Sequence, residues 1–345
     1  MTNEQWSTLN SIVQGNYNGP PVTGFIIDSP WIPGWYGVNH IEFYGSDRIW
    51  MDANKKVEET FPGTMFIPGF WSEYGMCTEP SAFGAKFRWL KDQMPHAGTI
   101  MSDLSKIGDL KVPDPASDGL LPFMIQRLKS MQPEIREMGH EIKFAVARGP
   151  LNIASFLMGT SELMMAMMLQ PEETHQLLRI ITDFSVNWIR HQKDVFETID
   201  GIILLDDIVG FIGEPEVKAF AVPYIKEIFG SFNAEIRLFH NDANGLVSTP
   251  FISEMGVNLY NFSFEHSLNE IRELAGEDVA LLGNLPPRDV LAAKSPEDVI
   301  AETRKMVEET RDRSRIVWSC GGGMPPGVST ENIRAFIDTI QKTAI

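Results

Sequence analysis

The segment Leu238-Phe239-His240-Asn241-Asp242-Ala243-Asn244-Gly245 is a short apolar run that ends in polar side chains and then in glycine. The segment Ile316-Val317-Trp318-Ser319-Cys320-Gly321-Gly322-Gly323 repeats this pattern near the end of the chain. A short apolar run bounded by a turn signal is typical of a strand that is buried on both faces. Each segment therefore predicts a buried strand that carries potential metal ligands at its carboxyl end.

The same pattern organises most of the chain. From about residue 119, short apolar strands alternate with amphipathic helices, and this order is typical of a parallel sheet covered by helices. Before it, the sequence predicts a helix at 3–14, a strand at 22–28 and an irregular loop at 29–37. The later strands are predicted at 143–148, 201–206, 235–241, 258–263, 279–284 and 315–320. The later helices are predicted at 119–139, 151–169, 171–197, 214–231, 247–255, 267–276, 295–311 and 329–343.

About eight strands in one chain favour an α/β fold in the form of a single (β/α)8 TIM barrel. An open doubly wound sheet is the alternative, but the sequence has no glycine-rich nucleotide loop after an early strand. We expect one domain over residues 1–345, in which about the first 80 residues form a divergent extension with a helix and aromatic loops.

Composition excludes several classes of partner. The chain has 345 residues, of which 43% are hydrophobic, so it can bury a large core. Its net charge of −17 argues against nucleic acid or an anionic membrane surface as a partner. It has two cysteines, no secretory signal and no apolar run of about 18 residues that would span a membrane. We therefore expect a cytoplasmic protein without a disulfide framework.

Polar residues lie at the carboxyl ends of the predicted strands, which form the catalytic face of a barrel. His240 and Asp242 are two positions apart, so both point to the same side of their strand. With Cys320 from a distant strand they would form a zinc site with three protein ligands and one open position. The alternative is a strand-end histidine paired with a nearby carboxylate, with Cys320 as a small buried side chain.

Three acidic residues are candidates for catalysis. Asp206 and Asp207 follow the apolar run 202–205, and only one of two adjacent side chains can face inward. That residue would act as a further ligand, a general base or a partner of His240, unless it only caps the next loop. Glu73 is the only acid among neighbouring aromatic residues, so burial would raise its proton affinity and suit it to a role as ligand or acid.

Two irregular stretches near the amino terminus are rich in aromatic side chains, which are unusual in solvated loops. They would wall a pocket for a flat or methylated ligand, or else form an aromatic cluster that closes one end of the barrel. The aromatic candidates for substrate binding are Trp31, Trp35, Tyr36, Phe70, Trp71 and Tyr74. Asp28 and Asn284, which end two predicted strands, are the polar candidates.

Several motifs together resemble the uroporphyrinogen decarboxylase superfamily. They occur in the order typical of that superfamily, at Pro150–Ser155, Leu204–Asp207, Phe239–Asp242, Leu282–Leu285, Ser319–Met324 and Val328–Ile333. The resemblance covers roughly residues 80–345 and implies a single (β/α)8 barrel. The decarboxylases of this superfamily need no metal and carry an Arg-Gln-Ala-Gly-Arg segment near the amino terminus. The corresponding region here, residues 25–37, has no arginine with which to clamp a polycarboxylate substrate.

The chain is more similar to the other branch, the corrinoid-dependent methyltransferases, which bind zinc through His-x-Cys and a distant cysteine. His240 and Cys320 match this pattern, whereas Asp242 replaces the middle cysteine. An oxygen ligand makes the zinc harder and suits polarisation of an ether oxygen better than activation of a thiol. The resemblance implies a zinc methyltransferase that resembles the O-demethylases and acts on a small methyl donor, such as a methoxylated aromatic compound. The corrinoid would be carried by a partner protein, because the chain has no Asp-x-His-x-x-Gly segment.

Two other functions stay open on the sequence alone. One is a metal-independent decarboxylase that acts on a smaller acid, with Asp28 or Asp207 as its charged centre. The other is a non-catalytic barrel that keeps a pocket for a small molecule.

Overall fold

The computed structural model describes residues 1–105 and 107–343, and its centre is one eight-stranded parallel sheet. The strands are β1 (Val22–Ile26), β2 (Met65–Ile67), β3 (Phe144–Arg148), β4 (Gly201–Leu205), β5 (Ile236–Asn241), β6 (Leu259–Phe262), β7 (Ala280–Leu285) and β8 (Ile316–Cys320). Their order in the sheet is β2-β1-β8-β7-β6-β5-β4-β3, so strands that follow one another in the chain are neighbours except for β2 and β3. This is the strand order of a (β/α)8 TIM barrel with its seam between β2 and β3, and it confirms the predicted fold.

Helices connect and surround the strands. They are α1 (Asn3–Val13), α2 (Ile32–Tyr36), α3 (His40–Gly45), α4 (Asp47–Thr60), α5 (Thr78–Ala82), α6 (Leu121–Glu137), α7 (Pro150–Met158), α8 (Thr160–Leu169), α9 (Pro171–Val195), α10 (Glu214–Glu216), α11 (Val222–Phe229), α12 (Leu268–Ala275), α13 (Pro296–Glu309) and α14 (Thr330–Thr343). A π-helical turn at Val217–Ala221 joins α10 to α11, and a second lies at Pro287–Ala292. A two-stranded antiparallel hairpin pairs Phe87–Arg88 with His96–Ala97.

Helix α1 closes the amino-terminal end of the barrel. A capping box formed by Thr2 and Gln5 starts the helix, and its buried face carries Trp6 and three aliphatic side chains. The Trp6 ring packs edge-on against Phe144 at the start of β3, with 5.2 Å between the ring centroids. These side chains join an apolar cluster with inward-facing residues of the strands, including Leu238 and Val317. Since this end is filled, the polar residues at the other end of the strands line the mouth of the barrel.

Three local expectations from the sequence were wrong, and one strand was missed. The helix expected at 151–169 is broken at Gly159, where φ is 102°, and its halves α7 and α8 meet at 107°. The segment 247–255 contains only a 3-10 turn at Thr249–Phe251. The loop expected at 29–37 contains α2, which has a proline in its first turn. Strand β2 was not expected at all, because three residues are too few to show a period.

Within the part of the chain that the structure covers, no helix has both the length and the apolar character needed to cross a membrane by itself. The bent pair α7 and α8 meets those criteria of length and composition only when its two halves are taken together.

Candidate active site

His240 near the end of β5 is held in a defined orientation by Asn261 of β6. The Nδ1 atom of His240 lies 2.7 Å from the Asn261 Oδ1 atom. The Asn261 Nδ2 group donates to the carbonyl oxygens of Leu282, at 2.7 Å, and of Cys320, at 3.4 Å. Because these carbonyls only accept hydrogen bonds, the Asn261 oxygen must face His240, and the proton of a neutral imidazole must sit on Nδ1. The lone pair of Nε2 is then free. Metal-binding histidines commonly show this arrangement, in which a hydrogen bond from one ring nitrogen orients the other toward the metal.

Two carboxylates lie opposite this free nitrogen. The Nε2 atom of His240 is 3.9 Å from Asp207 Oδ1 and 3.9 Å from Asp242 Oδ2. The three potential ligand atoms all lie within 4.8 Å of one another. Burial raises the pKa of Asp207, and the nearby His240 ring opposes that shift. The side chains of Asp207 and Asp242 are 32% and 47% exposed, so the group is open to the mouth of the barrel.

Cys320 ends β8, two residues before a glycine that lies against Asp242. Its thiol donates to the Gly322 carbonyl at 3.5 Å, and burial raises its pKa to about 12, with a further contribution from the charge of Asp242. Gly322 has a φ of 106°, and a Cβ atom there would lie 2.8 Å from Asp242 Oδ2. The glycine turn therefore lets the Asp242 carboxylate rest against the backbone next to Cys320.

The structure thus brings His240 and Asp242 together as the sequence suggested. Among the described residues, the third member of the compact group is Asp207 rather than Cys320. The role of Cys320 as a ligand stays a prediction.

Asp206 points away from this group. Its Oδ2 atom accepts a hydrogen bond of 2.9 Å from the backbone N–H of Leu151, in the first turn of α7. Gly149 allows this approach, because a Cβ atom at that position would lie 2.3 Å from the same oxygen. Burial raises the pKa of Asp206 to about 8. The carboxylate thus has a capping role, but it holds the start of α7, which follows the neighbouring strand β3, and not the loop after its own strand as the sequence suggested.

A second charged cluster spans the seam between β2 and β3. The Arg148 Nη2 group, at the end of β3, donates to both oxygens of Glu73 at 2.9 and 2.8 Å. The backbone N–H of Arg148 donates to Glu79 Oε1 at 3.0 Å. Burial raises the pKa of Glu73 well above its usual value, the charge of Arg148 opposes the shift, and the charge and hydrogen bond of Asp28 add to it. Because Asp207 also acts on Arg148, this guanidinium links the two clusters across the mouth.

Trp71 and Tyr74 lie on the same side as this charged cluster. The guanidinium of Arg148 is 5.7 Å from the centre of the Trp71 ring. Tyr74 packs against Tyr44 at 5.8 Å and against Trp89 of the hairpin at 6.0 Å. The hairpin therefore covers this part of the mouth with an aromatic wall.

The remaining substrate-binding candidates lie in other packing environments. Trp31 and Trp35 stack on each other at 5.0 Å, and their indole N–H groups donate to the Val328 carbonyl and the Thr330 hydroxyl. Tyr36 packs against the main apolar core, and Phe70 belongs to that core, with its ring 6.2 Å from the Trp50 ring. Asn284 at the end of β7 donates to the His266 carbonyl, and both residues line a cavity of about 260 Å³. A role for these residues in substrate binding stays a prediction.

Sequence reasoning missed Asn261, the packing of Tyr44 against Tyr74, and the pairing of Glu73 with Arg148. Asn261 carried a signal, because it is a single polar residue inside the apolar run Leu259-Tyr260-Asn261-Phe262, and it is fully buried. A buried amide in a strand needs hydrogen-bond partners, so such a residue marks a polar network. The pairing carried none, since the two residues are 75 positions apart.

Comparison with known proteins gives a consistent result. Residues 70–343 match the family model described as uroporphyrinogen decarboxylase (URO-D). The uroporphyrinogen decarboxylase of Ruthia magnifica subsp. Calyptogena magnifica is 23% identical over 278 residues, which are 77% of each chain. The human uroporphyrinogen decarboxylase is 26% identical over 183 residues, which are 50% of this chain and 48% of the human one. The latter match therefore spans about half the length of the relative.

One solved structure shares the whole fold. It is described as a methyltransferase from Methanosarcina mazei and superposes with a TM-score of 0.81. The match covers 97% of this chain and 98% of the other chain, at 16% sequence identity.

Proposed function

This chain belongs to the uroporphyrinogen decarboxylase family, and from that membership we propose that it is a zinc-dependent methyltransferase. It would move a methyl group between a small molecule and a separate corrinoid protein. The observation that carries the proposal is the free Nε2 atom of His240, which is oriented by Asn261 and faces two carboxylates. The name of the Methanosarcina mazei structure, a methyltransferase, also supports it.

The residues at this position fit a zinc ion. Imidazole nitrogen, carboxylate oxygen and thiolate sulfur are the usual zinc ligands. For bonds of about 2.1 Å, tetrahedral ligands lie about 3.4 Å apart. The two carboxylates are each 3.9 Å from His240 Nε2, and all three atoms lie within 4.8 Å of one another, so side-chain rotations can close the site. We propose His240, Asp242 and Asp207 as ligands. Cys320 is proposed as a further ligand, because a thiol loses its proton when it binds zinc. Asp207 would then give up its position to the substrate oxygen, so that the zinc keeps one open position.

Bound zinc would supply a Lewis acid for the ether oxygen of a methoxylated substrate. The protein's contribution is to hold His240 in one tautomer and to keep two carboxylates at the open face of the group. Trp71 and Tyr74 would wall the substrate, which we propose is a small methoxylated aromatic compound. Glu73 would handle the proton.

The proposed partner is a corrinoid protein that docks over the mouth. Exposed apolar side chains on segments that follow β3 and β4 support a docking surface there: Met168 is 78% exposed, Leu169 76% and Phe211 64%. We also propose that residues 1–345 work as one barrel domain in the cytoplasm.

Decarboxylation is the second candidate, because the curated relatives carry that name. In this reading Asp28 or Asp207 would be the charged centre. Arg148 weakens it, because the Nη2 group that would bind a substrate carboxylate already donates to both oxygens of Glu73.

The proposal is tested by following the absorbance of free cob(I)alamin during incubation with the zinc-loaded protein and a panel of methoxybenzenes and methylated amines. We expect methylcobalamin to form with the wild type and not with His240→Ala. His140→Ala is the matched control, because His140 and His240 are both 6% exposed. Zinc X-ray absorption would show one sulfur neighbour, which is lost in Cys320→Ser. Full activity without metal, or turnover of uroporphyrinogen after chelation, contradicts the proposal.

A further inference from the structure

Arg127 on helix α6 is a buried arginine that belongs to neither charged group at the mouth. It is 2% exposed, and the other side chains on the buried face of α6 are apolar. Arginine is almost never fully buried unless its charge is paired. Its ionic partner is Asp47, whose Oδ1 atom accepts a hydrogen bond of 2.9 Å from the Arg127 Nε group. The further contacts of this guanidinium show what its burial achieves.

Those contacts tie together three segments that are distant from α6 in the sequence. Asp47 is the first residue of α4. The Arg127 Nη2 group donates to the backbone carbonyl of Tyr44 in α3 and, at 3.4 Å, to the Tyr74 hydroxyl in the loop after β2. The guanidinium also lies over the Tyr74 ring, 4.9 Å from its centre, which is within the range of a cation–π contact. One side chain therefore holds α3, α4 and the loop after β2 against α6.

Two of these contacts are made to the aromatic wall, which consists of Tyr44, Tyr74 and Trp89 of the hairpin. The ring centroids are 5.8 Å apart for Tyr44 and Tyr74, 5.6 Å apart for Tyr44 and Trp89, and 6.0 Å apart for Tyr74 and Trp89. All three distances are typical of favourable aromatic pairs. Because each ring packs against both others, a change in the position of Tyr44 or Tyr74 would also move Trp89.

The backbone around the wall is held by contacts that do not involve Arg127. The His40 N–H, at the start of α3, donates to the Lys91 carbonyl of the hairpin at 2.9 Å. A Cβ atom at Gly75 would lie 3.2 Å from the Tyr44 hydroxyl and 3.4 Å from Pro95 Cδ, so the hairpin rests directly on the loop after β2. These contacts fix the hairpin as a whole, whereas the guanidinium is the group that holds the Tyr74 ring and its hydroxyl.

We propose that Arg127 is a positioning residue that makes the mouth selective for methyl donors with a flat aromatic ring. This inference rests on the proposed function, in which Tyr74 walls the substrate. Arg127 holds Tyr44 and Tyr74 from behind, and Trp89, which is 40% exposed, presents an open side of the wall. An aromatic donor gains a stacked or edge-to-face contact there that an aliphatic donor cannot form. Arg127 does not touch the donor and acts only through the wall.

Fluorine NMR of the protein labelled with 5-fluorotryptophan tests whether Arg127 holds the wall. The chain has eight tryptophans, and the Trp89 signal is identified by its loss in Trp89→Phe. In Arg127→Met we expect the Trp89 signal to shift or broaden, while the signal of Trp188 on α9 stays unchanged. Arg127→Lys keeps the charge beside Asp47 and should give the same change, because one ammonium group cannot replace the planar guanidinium at all three contacts.

The matched control for loss of an arginine is Arg237→Met. Arg237 is half-buried, and its guanidinium donates to the carbonyls of Ala234 and Gly256, near the start of β5. This variant should leave the Trp89 signal unchanged. If the Trp89 signal is the same in the wild type and in Arg127→Lys, Arg127 does not hold the wall and the inference is wrong.

Binding of phenol and cyclohexanol to the zinc-loaded protein tests the selectivity, because the two alcohols differ in the flatness of the ring. We expect phenol to bind the wild type more tightly than cyclohexanol. In Arg127→Lys the dissociation constant for phenol should rise about tenfold, as expected for loss of one aromatic contact, and that for cyclohexanol should stay the same. Equal weakening of both, or no preference for phenol in the wild type, would overturn the proposed selectivity.

Kinetics with cob(I)alamin as methyl acceptor separate positioning from a general effect on the fold. In Arg127→Lys we expect KM for methoxybenzene to rise about tenfold, with kcat and the KM for methoxycyclohexane nearly unchanged. A fall in kcat for both ethers would show that Arg127 only supports the fold. The fluorine signal needs neither zinc nor methyl transfer. A chain without methyltransferase activity therefore contradicts the proposed function, whereas an unmoved Trp89 signal contradicts the role of Arg127 alone.

Discussion

Replacing Asn261 by alanine should weaken metal binding without touching a metal ligand. The substitution removes the acceptor that lies 2.7 Å from His240 Nδ1. His240 then loses both its fixed tautomer and its fixed ring orientation. Loss of such a partner typically lowers metal affinity by about 10- to 100-fold, which corresponds to about 1.4–2.7 kcal/mol.

The assay is competition for zinc with a chromogenic chelator at neutral pH. Asn332→Ala is the matched control for loss of a buried amide. Asn332 is 3% exposed, and its Nδ2 group donates to the carbonyls of Leu291 and Lys294 at 2.8 and 2.9 Å. Both variants leave carbonyls without a donor and should lose about 1–3 kcal/mol of unfolding free energy. Only Asn261→Ala should lose zinc affinity, and equal affinity in the two variants would refute the role assigned to Asn261.

Three further changes have defined outcomes. Gly322→Ala should lower zinc affinity, because the added Cβ atom would lie 2.8 Å from Asp242 Oδ2 at a φ of 106°; unchanged affinity in the chelator assay would contradict this. Arg148→Met should lower the unfolding free energy by about 3 kcal/mol in urea titrations, because it leaves Glu73 in a buried site without its cation; Glu73→Gln in the same chain should restore most of the loss. Burial lowers the pKa of His140 from 6.5 to about 4, so the folded state binds fewer protons and loses stability as pH falls from 6.5 towards 4. His140→Asn should remove on the order of 2 kcal/mol of that pH dependence, and parallel stability curves would show the reasoning to be wrong.

The strands and the polar residues at their ends were predictable because each is visible within a few consecutive residues, as an apolar run followed by polar side chains. An apolar run such as Ile202-Ile203-Leu204-Leu205 is buried on both faces and shows this in its composition. The fold then places the carboxyl ends of all the strands at one mouth of the barrel. This is why His240 and Asp242 could be identified as candidate site residues. The break at Gly159 was not predictable, because apolar residues continue on both sides and hide the change in direction.

The parts of the site that sequence did not predict depend on contacts between distant segments. Whether Asp206 or Asp207 faces the mouth depends on the first turn of α7, whose N–H groups attract Asp206. Glu73 and Arg148 meet only because the seam brings the end of β3 against the loop after β2. Distances within a barrel mouth follow from closure of the sheet, and residue spacing along the chain does not encode them.

The metal content of the purified chain tests the central claim most directly. Wild type, His240→Ala and the control His140→Ala would be dialysed against zinc, freed of excess metal and analysed by elemental mass spectrometry. We predict about one zinc ion per chain in the wild type and in the control, and almost none in His240→Ala. A wild type without bound metal, or a His240→Ala variant that retains as much zinc as the wild type, would contradict the account.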